Sequence, residues 1–269
     1  MPELPEVEVT RIGISNYINS NTIKRIVAYS TNLRWPISPD IFSILPGETI
    51  NSVERRGKYL LLKCQSGILL IHLGMTGQLR IVTTTCTPEK HDHLDIVFID
   101  EVVLRLNDAR RFGSVFWVDS NLEHKFIEQM GPEPLSEEFD GNYLYQKSRG
   151  RKIIVKKFLL DQQVVAGIGN IYANEALFHA GIHPSIPAGR ISKVRYKNLV
   201  VAIKLVLATS IKLGGTMIDF RDGTEKNGHF PQKFSVYNRS GRPCTICGTQ
   251  IQYKRVMRRS IYFCKSCQK

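Results

Sequence analysis

No apolar run in this 269-residue chain reaches the ~18 residues that a membrane-crossing helix requires, which excludes a helical span. The start lacks the basic region and apolar stretch of a secretory signal and carries Glu3, Glu6 and Glu8 instead. The expectation is a cytoplasmic protein, whose six cysteines serve as thiols or metal ligands and not as disulfides. Acidic residues are in deficit: 24 Asp and Glu stand against 37 Lys and Arg, for a net charge of +13 and a pI of about 9.5. From Val236 to Lys269 there are none at all. That balance points to a polyanionic partner, nucleic acid before membrane. The length suffices for a large core and for two domains or more.

What the C-terminal stretch does contain is cysteine. Cys244-Thr-Ile-Cys247 and Cys264-Lys-Ser-Cys267 are separated by sixteen residues. Two such knuckles at this spacing predict a four-thiolate zinc site, since each sets two sulfurs about one tetrahedral edge apart and a hairpin between them joins the pairs. A redox pair needs one knuckle, not two. Four thiolates leave no open position, so the metal is structural. Eight basic residues (Arg239, Arg242, Lys254, Arg255, Arg258, Arg259, Lys265 and Lys269) against the −2 of a four-thiolate Zn²⁺ centre leave about +6. Lys254, Arg255, Arg258 and Arg259 fall where the hairpin projects, which suits phosphate contact. Cys64 lies in an apolar run and is expected in the core; Cys86 stands alone.

The other end carries a second unusual feature, Met-Pro-Glu-Leu-Pro-Glu. Removal of Met1 would leave Pro2 with a free secondary amine, and α-amino groups titrate near 8, not near 10 as lysine does. A neutral amine is a nucleophile that forms Schiff bases, and Glu3 beside it can shuttle protons. Read alone, the same residues are better described as a helix start stiffened by Pro2 and Pro5, with Pro5 near its first position.

Between these ends, residues 23–118 alternate short β-rich runs with glycine-bearing turns. The strand candidates are Tyr59–Leu62, Ile68–Ile71, Ile96–Ile99 and Val115–Val118, which predict a sandwich or barrel with the helix near Pro5 over one end. Arg55-Arg56-Gly57-Lys58, His72-Leu73-Gly74-Met75-Thr76-Gly77 and Asn107-Asp108-Ala109-Arg110-Arg111-Phe112-Gly113 are polar or exposed for pure structure. A Met and a Phe on loops beside Arg fit wedges that unstack bases, or loop residues packing back on the sheet. From Ile153 the pattern turns helical. Gly167 and Gly169 break it, Asn170 is placed as the N-cap of a second helix and Gly181 closes that helix. Such a turn binds phosphate or simply joins a helical hairpin. Residues 198–211 read as one buried, nearly all-apolar helix, and 219–228 as a disordered tip or a lid.

Together, PELPEVE at 2–8, RGKYLLL at 56–62, HLGMTGQLR at 72–80, KHDH at 90–93, ARRFG at 109–113, GPEPL at 131–135, GIGNIYANEALF at 167–178, GIHP at 181–184 and the four cysteines closely resemble the bacterial formamidopyrimidine-DNA glycosylase family. The sister endonuclease VIII family usually starts PEGPE and prefers oxidised pyrimidines; Leu4 points to the purine branch. The resemblance implies a multidomain α+β protein: an N-terminal β-sandwich with a covering helix (1–131), a helical helix–two-turn–helix domain (132–235) and a C-terminal zinc-ribbon hairpin (236–269). It implies base-excision repair of oxidised purines such as 8-oxoguanine in damaged duplex DNA by a nucleoid-associated monomer. One structural Zn²⁺ would be held by Cys244, Cys247, Cys264 and Cys267, with no small-molecule cofactor.

Pro2 would attack C1′ and Glu3 would protonate the opened sugar. Lys58 would assist β-elimination and Arg259 δ-elimination. Met75, Arg110 and Phe112 would fill the gap left by the extruded nucleotide, with Arg110 facing the orphaned cytosine. His91, Arg151 and Asn170 would contact phosphates, and the region near 217–228 would close over the base. Two alternatives remain: an oxidised-pyrimidine glycosylase, and a lesion-binding protein that does not cut. Departures from the family pattern are Arg151 for a frequent Lys, Ala109 for a frequent Pro and Asn238 for a frequent Gly.

Overall fold

A computed structural model of the chain describes residues 2–119, 125–214, 234–256 and 258–269. The described residues fall into two compact units, 2–128 with 213–214, and 129–212 with 234–269.

The first unit runs α1 (Leu4–Ile18), β1 (Ile23–Ala28), α2 (Ile41–Ile44), β2 (Ser52–Arg56), β3 (Tyr59–Lys63), β4 (Gly67–His72), β5 (Gln78–Thr83), β6 (Asp92–Phe98), β7 (Val102–Asn107), β8 (Ser114–Asp119) and α3 (Lys125–Glu128). Two four-stranded antiparallel sheets form, in the orders β1-β6-β7-β5 and β2-β3-β4-β8. Leu94, Ile96, Phe98, Leu104 and Leu106 of one sheet share a core with Leu60, Leu62, Leu69, Ile71 and Val115 of the other. The period-2 spacing of these residues is what turns them to one face. Helix α1 packs on β2 and β3 of one sheet and on β5 and β7 of the other, and adds Val7, Ile14 and Ile18 to the core. The sandwich with its covering helix is therefore present.

The outer face of the first sheet is buried as well, by a small cluster of Val82, Val97 and Val103 and by paired charges. Arg105 forms a bidentate pair with Asp95 at 2.8 Å, Arg80 pairs with Asp92 at 2.7 Å, and the Tyr29 hydroxyl donates to Asp95. Arg105 also donates to the carbonyls of Cys86 and Thr87 and so ties down the loop that leads to His91.

The second unit contains α4 (Gly141–Ser148), α5 (Val155–Leu159), α6 (Asn170–His179), all but the last two residues of α7 (Lys193–Gly214) and the hairpin β9 (Gln252–Val256)–β10 (Arg259–Phe263). Phe158, Leu159, Tyr172, Leu177, Tyr196 and Leu199 centre its helical core. Two sequence expectations are corrected here. Asn170 is not the N-cap: Gly169 takes the extended cap conformation, so Asn170 is already helical and its side chain is free for other work. Helix α7 is not buried all round: Val194, Val201 and Leu205 are exposed along one stripe, because apolar composition does not fix which face meets the core. Helix α6 closes as expected. Ile182 N–H donates to Leu177 O and Gly181 N–H to Phe178 O, a Schellman pair with Gly181 at φ +64°. The expected lid near 217–228 lies outside the described residues. Among the described residues, no helix is long and apolar enough to cross a membrane.

Candidate active site and nucleic-acid interface

Glu3 is the cap residue of α1 and is fully buried, with half-buried Pro2 directly outside it. The Glu6 carboxylate accepts the Glu3 N–H at 2.8 Å, so the first helical turn fixes the backbone on which Pro2 rides. One turn on, Glu8 accepts from Arg55 at 2.8 Å and from Arg11 at 2.7 Å. Burial works to raise the Glu8 carboxyl, but the two guanidiniums outweigh it and hold the group below its ordinary range. Arg55 also donates to Gly57 O at 3.0 Å. Gly57 and Lys58 form the two-residue turn between β2 and β3, so the chain Glu8–Arg55–Gly57 ties the start of α1 to the turn that carries Lys58.

Beside Lys58 stands His72, at the end of β4. Burial, and after it the charges of Lys58 and Arg34, push its imidazole from 6.5 down to about 4. Its Nδ1 accepts the Gly74 N–H at 3.0 Å, which only the neutral ring can do. The unfolded chain therefore takes up this proton before the folded one. The stability His72 contributes is complete above about pH 6.5 and is lost as pH falls toward 4. His72→Asn keeps an acceptor and cannot titrate. Thermal midpoints measured across this window should fall less steeply in the variant, by on the order of 3 kcal/mol at the acid end. Equal slopes would show that His72 is not the group responsible.

Met75 and the Arg110–Phe112 turn are neighbours in space. A Cβ on Gly74 would lie 2.4 Å from the Phe112 carbonyl carbon, so only glycine permits this approach. Arg110 and Phe112 are exposed and Met75 half-buried, with the Arg110 guanidinium 4.8 Å from the Phe112 ring centroid. His91 is half-buried, and its carbonyl accepts the Asp108 N–H at 2.9 Å, which places it beside the same turn.

In the second unit the Asn170 side chain accepts from Lys156 Nζ at 2.6 Å. Lys156 is almost fully buried and also donates to Ser260 O, next to Arg259. Arg259 is exposed on a groove of about 380 Å³ that it shares with Lys156, Lys157 and Asp161. Arg151 is exposed on the loop after α4. Lys156 was missed in the sequence: a lysine among other basic residues carries no mark of burial when one partner is 104 positions away.

The Sγ atoms of Cys244, Cys247, Cys264 and Cys267 all lie within 4.8 Å of one another. The cross-knuckle distances are 3.9 Å (Cys244–Cys267) and 3.4 Å (Cys247–Cys264), far beyond a disulfide bond. They match the edge of about 3.8 Å that Zn–S bonds of about 2.3 Å give a tetrahedron. The four thiolates thus fit one zinc ion. Cys64, by contrast, is buried, and burial pushes its thiol up to about 12, as a core residue.

The N-terminal domain model of the formamidopyrimidine-DNA glycosylases matches residues 1–115, and their H2TH domain model matches 130–222. The chain is 51% identical to a formamidopyrimidine-DNA glycosylase of Geotalea uraniireducens over 270 residues and 49% identical to that of Idiomarina loihiensis over 271, in each case across all of both chains. Among solved structures it is similar to the Lactococcus lactis protein in complex with abasic-site DNA (TM-score 0.89, 32% identity, all of both chains). It is also similar to the Lactococcus complex with a Fapy-dG-containing DNA (TM-score 0.90, 34% identity, 99% of this chain and 100% of that one). Matched along its whole length by sequence and by fold, the chain belongs to the formamidopyrimidine-DNA glycosylase family.

Proposed function

We propose that this DNA glycosylase of base-excision repair removes oxidised purines, 8-oxoguanine and formamidopyrimidines, from duplex DNA and then cuts the strand through a Schiff base on Pro2. The neutral Pro2 amine attacks C1′, the glycosidic bond breaks, and the base leaves with a proton. Ring opening at O4′, protonated by Glu3, gives the iminium. Loss of a C2′ proton then expels the 3′-phosphate with help from Lys58, and a second elimination assisted by Arg259 expels the 5′-phosphate. Met75, Arg110 and Phe112 hold the gap, while His91, Arg151 and Asn170 meet phosphates. Cys244, Cys247, Cys264 and Cys267 hold the zinc. The working divisions are 1–131, 132–235 and 236–269, and the working place is the chromosome in the cytoplasm.

The observation that carries this reading is the setting of Glu3. Its carboxyl group is fully buried, fixed at a helix start, covalently next to the amine and roped through Glu8 and Arg55 to the Lys58 turn. Proximity of this kind is what proton transfer requires. The test is borohydride trapping on a duplex with 8-oxoguanine opposite cytosine, followed by mass mapping of the adduct. An adduct on Pro2 is expected. Trapping only on an oxidised-pyrimidine duplex, or tight binding with no adduct on either, would overturn the assignment.

A further inference from the structure

Met75 and Arg110–Phe112 come from turns more than thirty residues apart, so something must set them against each other. A single carboxylate does so. Asp108 is fully buried. Its Oδ1 accepts from the Thr76 hydroxyl at 2.5 Å and from the Arg110 N–H at 3.2 Å, and its Oδ2 accepts from the Gly113 N–H at 2.7 Å. The Thr76 hydroxyl in turn accepts from the Arg110 N–H at 3.1 Å. The backbone of Asp108 is held independently: its N–H donates to His91 O at 2.9 Å, and its carbonyl accepts from His93 Nε2 at 2.8 Å and from the Arg111 N–H at 3.2 Å. The carboxylate therefore hangs from a fixed frame and grips the residue after Met75 and both ends of the Arg110–Phe112 segment.

We propose that Asp108, working through Thr76, is the positioning residue that holds Met75, Arg110 and Phe112 in one rigid wedge, and so sets which base the enzyme accepts opposite the lesion. The inference rests on the wedge role given to those three side chains above. Direct readout of a base edge by an arginine needs its origin fixed, because the wrong base is rejected by geometry as much as by charge. The exposed turn, with Arg111 at φ +56° and no proline at position 109, is otherwise held by single backbone bonds, Arg111 N–H to Asp108 O at 3.2 Å and Arg34 N–H to Gly113 O at 3.1 Å, neither of which reaches the Met75 turn. The Asp108 carboxylate supplies that link from below.

Asp108→Asn is nearly isosteric but has one acceptor oxygen where the carboxylate has two, so its NH₂ must face one of the donors. Thr76→Val removes the hydroxyl and keeps the shape, and Thr76→Ser restores the hydroxyl. The measurement is single-turnover excision of 8-oxoguanine opposite cytosine and opposite adenine. Alongside it runs the fluorescence of a 2-aminopurine placed next to the lesion, which rises when the wedge breaks stacking.

Asp108→Asn and Thr76→Val should each reduce the cytosine-over-adenine ratio about tenfold and lower the fluorescence rise; Thr76→Val should keep its thermal midpoint near the parent's, while Asp108→Asn should lose some of it to the buried N–H left facing a donor. The double variant should be little worse than either single one, since both act on one network. Thr76→Ser should keep both readouts. Equal losses opposite both bases, with Thr76→Ser as damaged as Thr76→Val, would mean a merely structural role and overturn the proposal. So would an unchanged ratio in Asp108→Asn when Arg110→Ala changes it. If Arg110→Ala and Phe112→Ala alter neither readout, the wedge reading itself fails, which separates that failure from failure of Asp108. Should Asp108→Asn not fold, the Thr76→Val and Thr76→Ser pair decides alone.

Discussion

Protein that retains Met1, or that carries any residue ahead of Pro2, should give no borohydride-trapped adduct, and its excision should fall to background. In such a chain the Pro2 nitrogen is a tertiary amide, whose lone pair is delocalised into the carbonyl and unavailable for attack. No neighbouring group replaces it by reach alone, because an amine must sit about 3–3.5 Å from C1′ in line with the leaving base. Binding should survive, since the cations and turns proposed to meet phosphate lie elsewhere in the chain. A blocked variant that binds the lesion duplex within a few-fold of the processed protein, yet traps nothing, isolates the chemistry from recognition. Full activity on mass-verified, Met1-bearing protein would remove Pro2 from the mechanism. Glu3→Gln is the companion variant: it keeps the cap geometry and removes the proposed proton donor, and a loss of about 10²–10⁴ in rate is expected for a positioned acid.

The sequence displayed this site unevenly, and the reason lies in range. Ligand spacing is local, so Cys244, Cys247, Cys264 and Cys267 could be read directly, and the sulfurs do converge. Strand alternation is local too, and Tyr59–Lys63, Gly67–His72 and Ser114–Asp119 are found where the runs predicted strands. Asp108 was visible only as one polar residue in a turn: Gly113 lies five residues along that turn, but Thr76 is brought to it by the pairing of β5 with β7 and by the close approach at Gly74. Asn170 was misplaced by one position because Asn and Gly are both good caps, and only the backbone angles choose between them. The stripe Val194–Val201–Leu205 shows the same limit from the other side: periodicity announces a helix but does not say which apolar face is covered.

Zinc removal should be the second large effect, and it should reach beyond the hairpin. The module packs Val236, Ile251 and the buried cysteines on Phe178 of α6. Glu175 of the same helix accepts the N–H groups of Ser235, Val236 and Tyr237 at 2.7–2.9 Å. Asn174 accepts the Tyr262 N–H at 3.0 Å, and Gln268 donates to Ile182 O at 2.9 Å. A helix that spends these side chains on the hairpin loses their partners when the metal leaves, and buried groups left unpaired cost about 1–3 kcal/mol each. The metal itself contributes folding free energy of about 10–16 kcal/mol at neutral pH in small zinc modules. Cys244→Ser should therefore lose zinc, lower the thermal midpoint of the second unit and weaken DNA binding.

The salt dependence separates the two contributions. If Lys254, Arg255, Arg258 and Arg259 each neutralise a phosphate, the slope of log K against log salt should fall by about 0.9 for each cation lost. A zinc-replete Lys254→Gln/Arg255→Gln/Arg258→Gln variant should then lose about 2.7 from the slope and keep its midpoint. The zinc-free protein should lose more than that, along with the midpoint. A zinc-free protein with unchanged affinity and slope would show that the hairpin is no part of the DNA interface, whatever its charge.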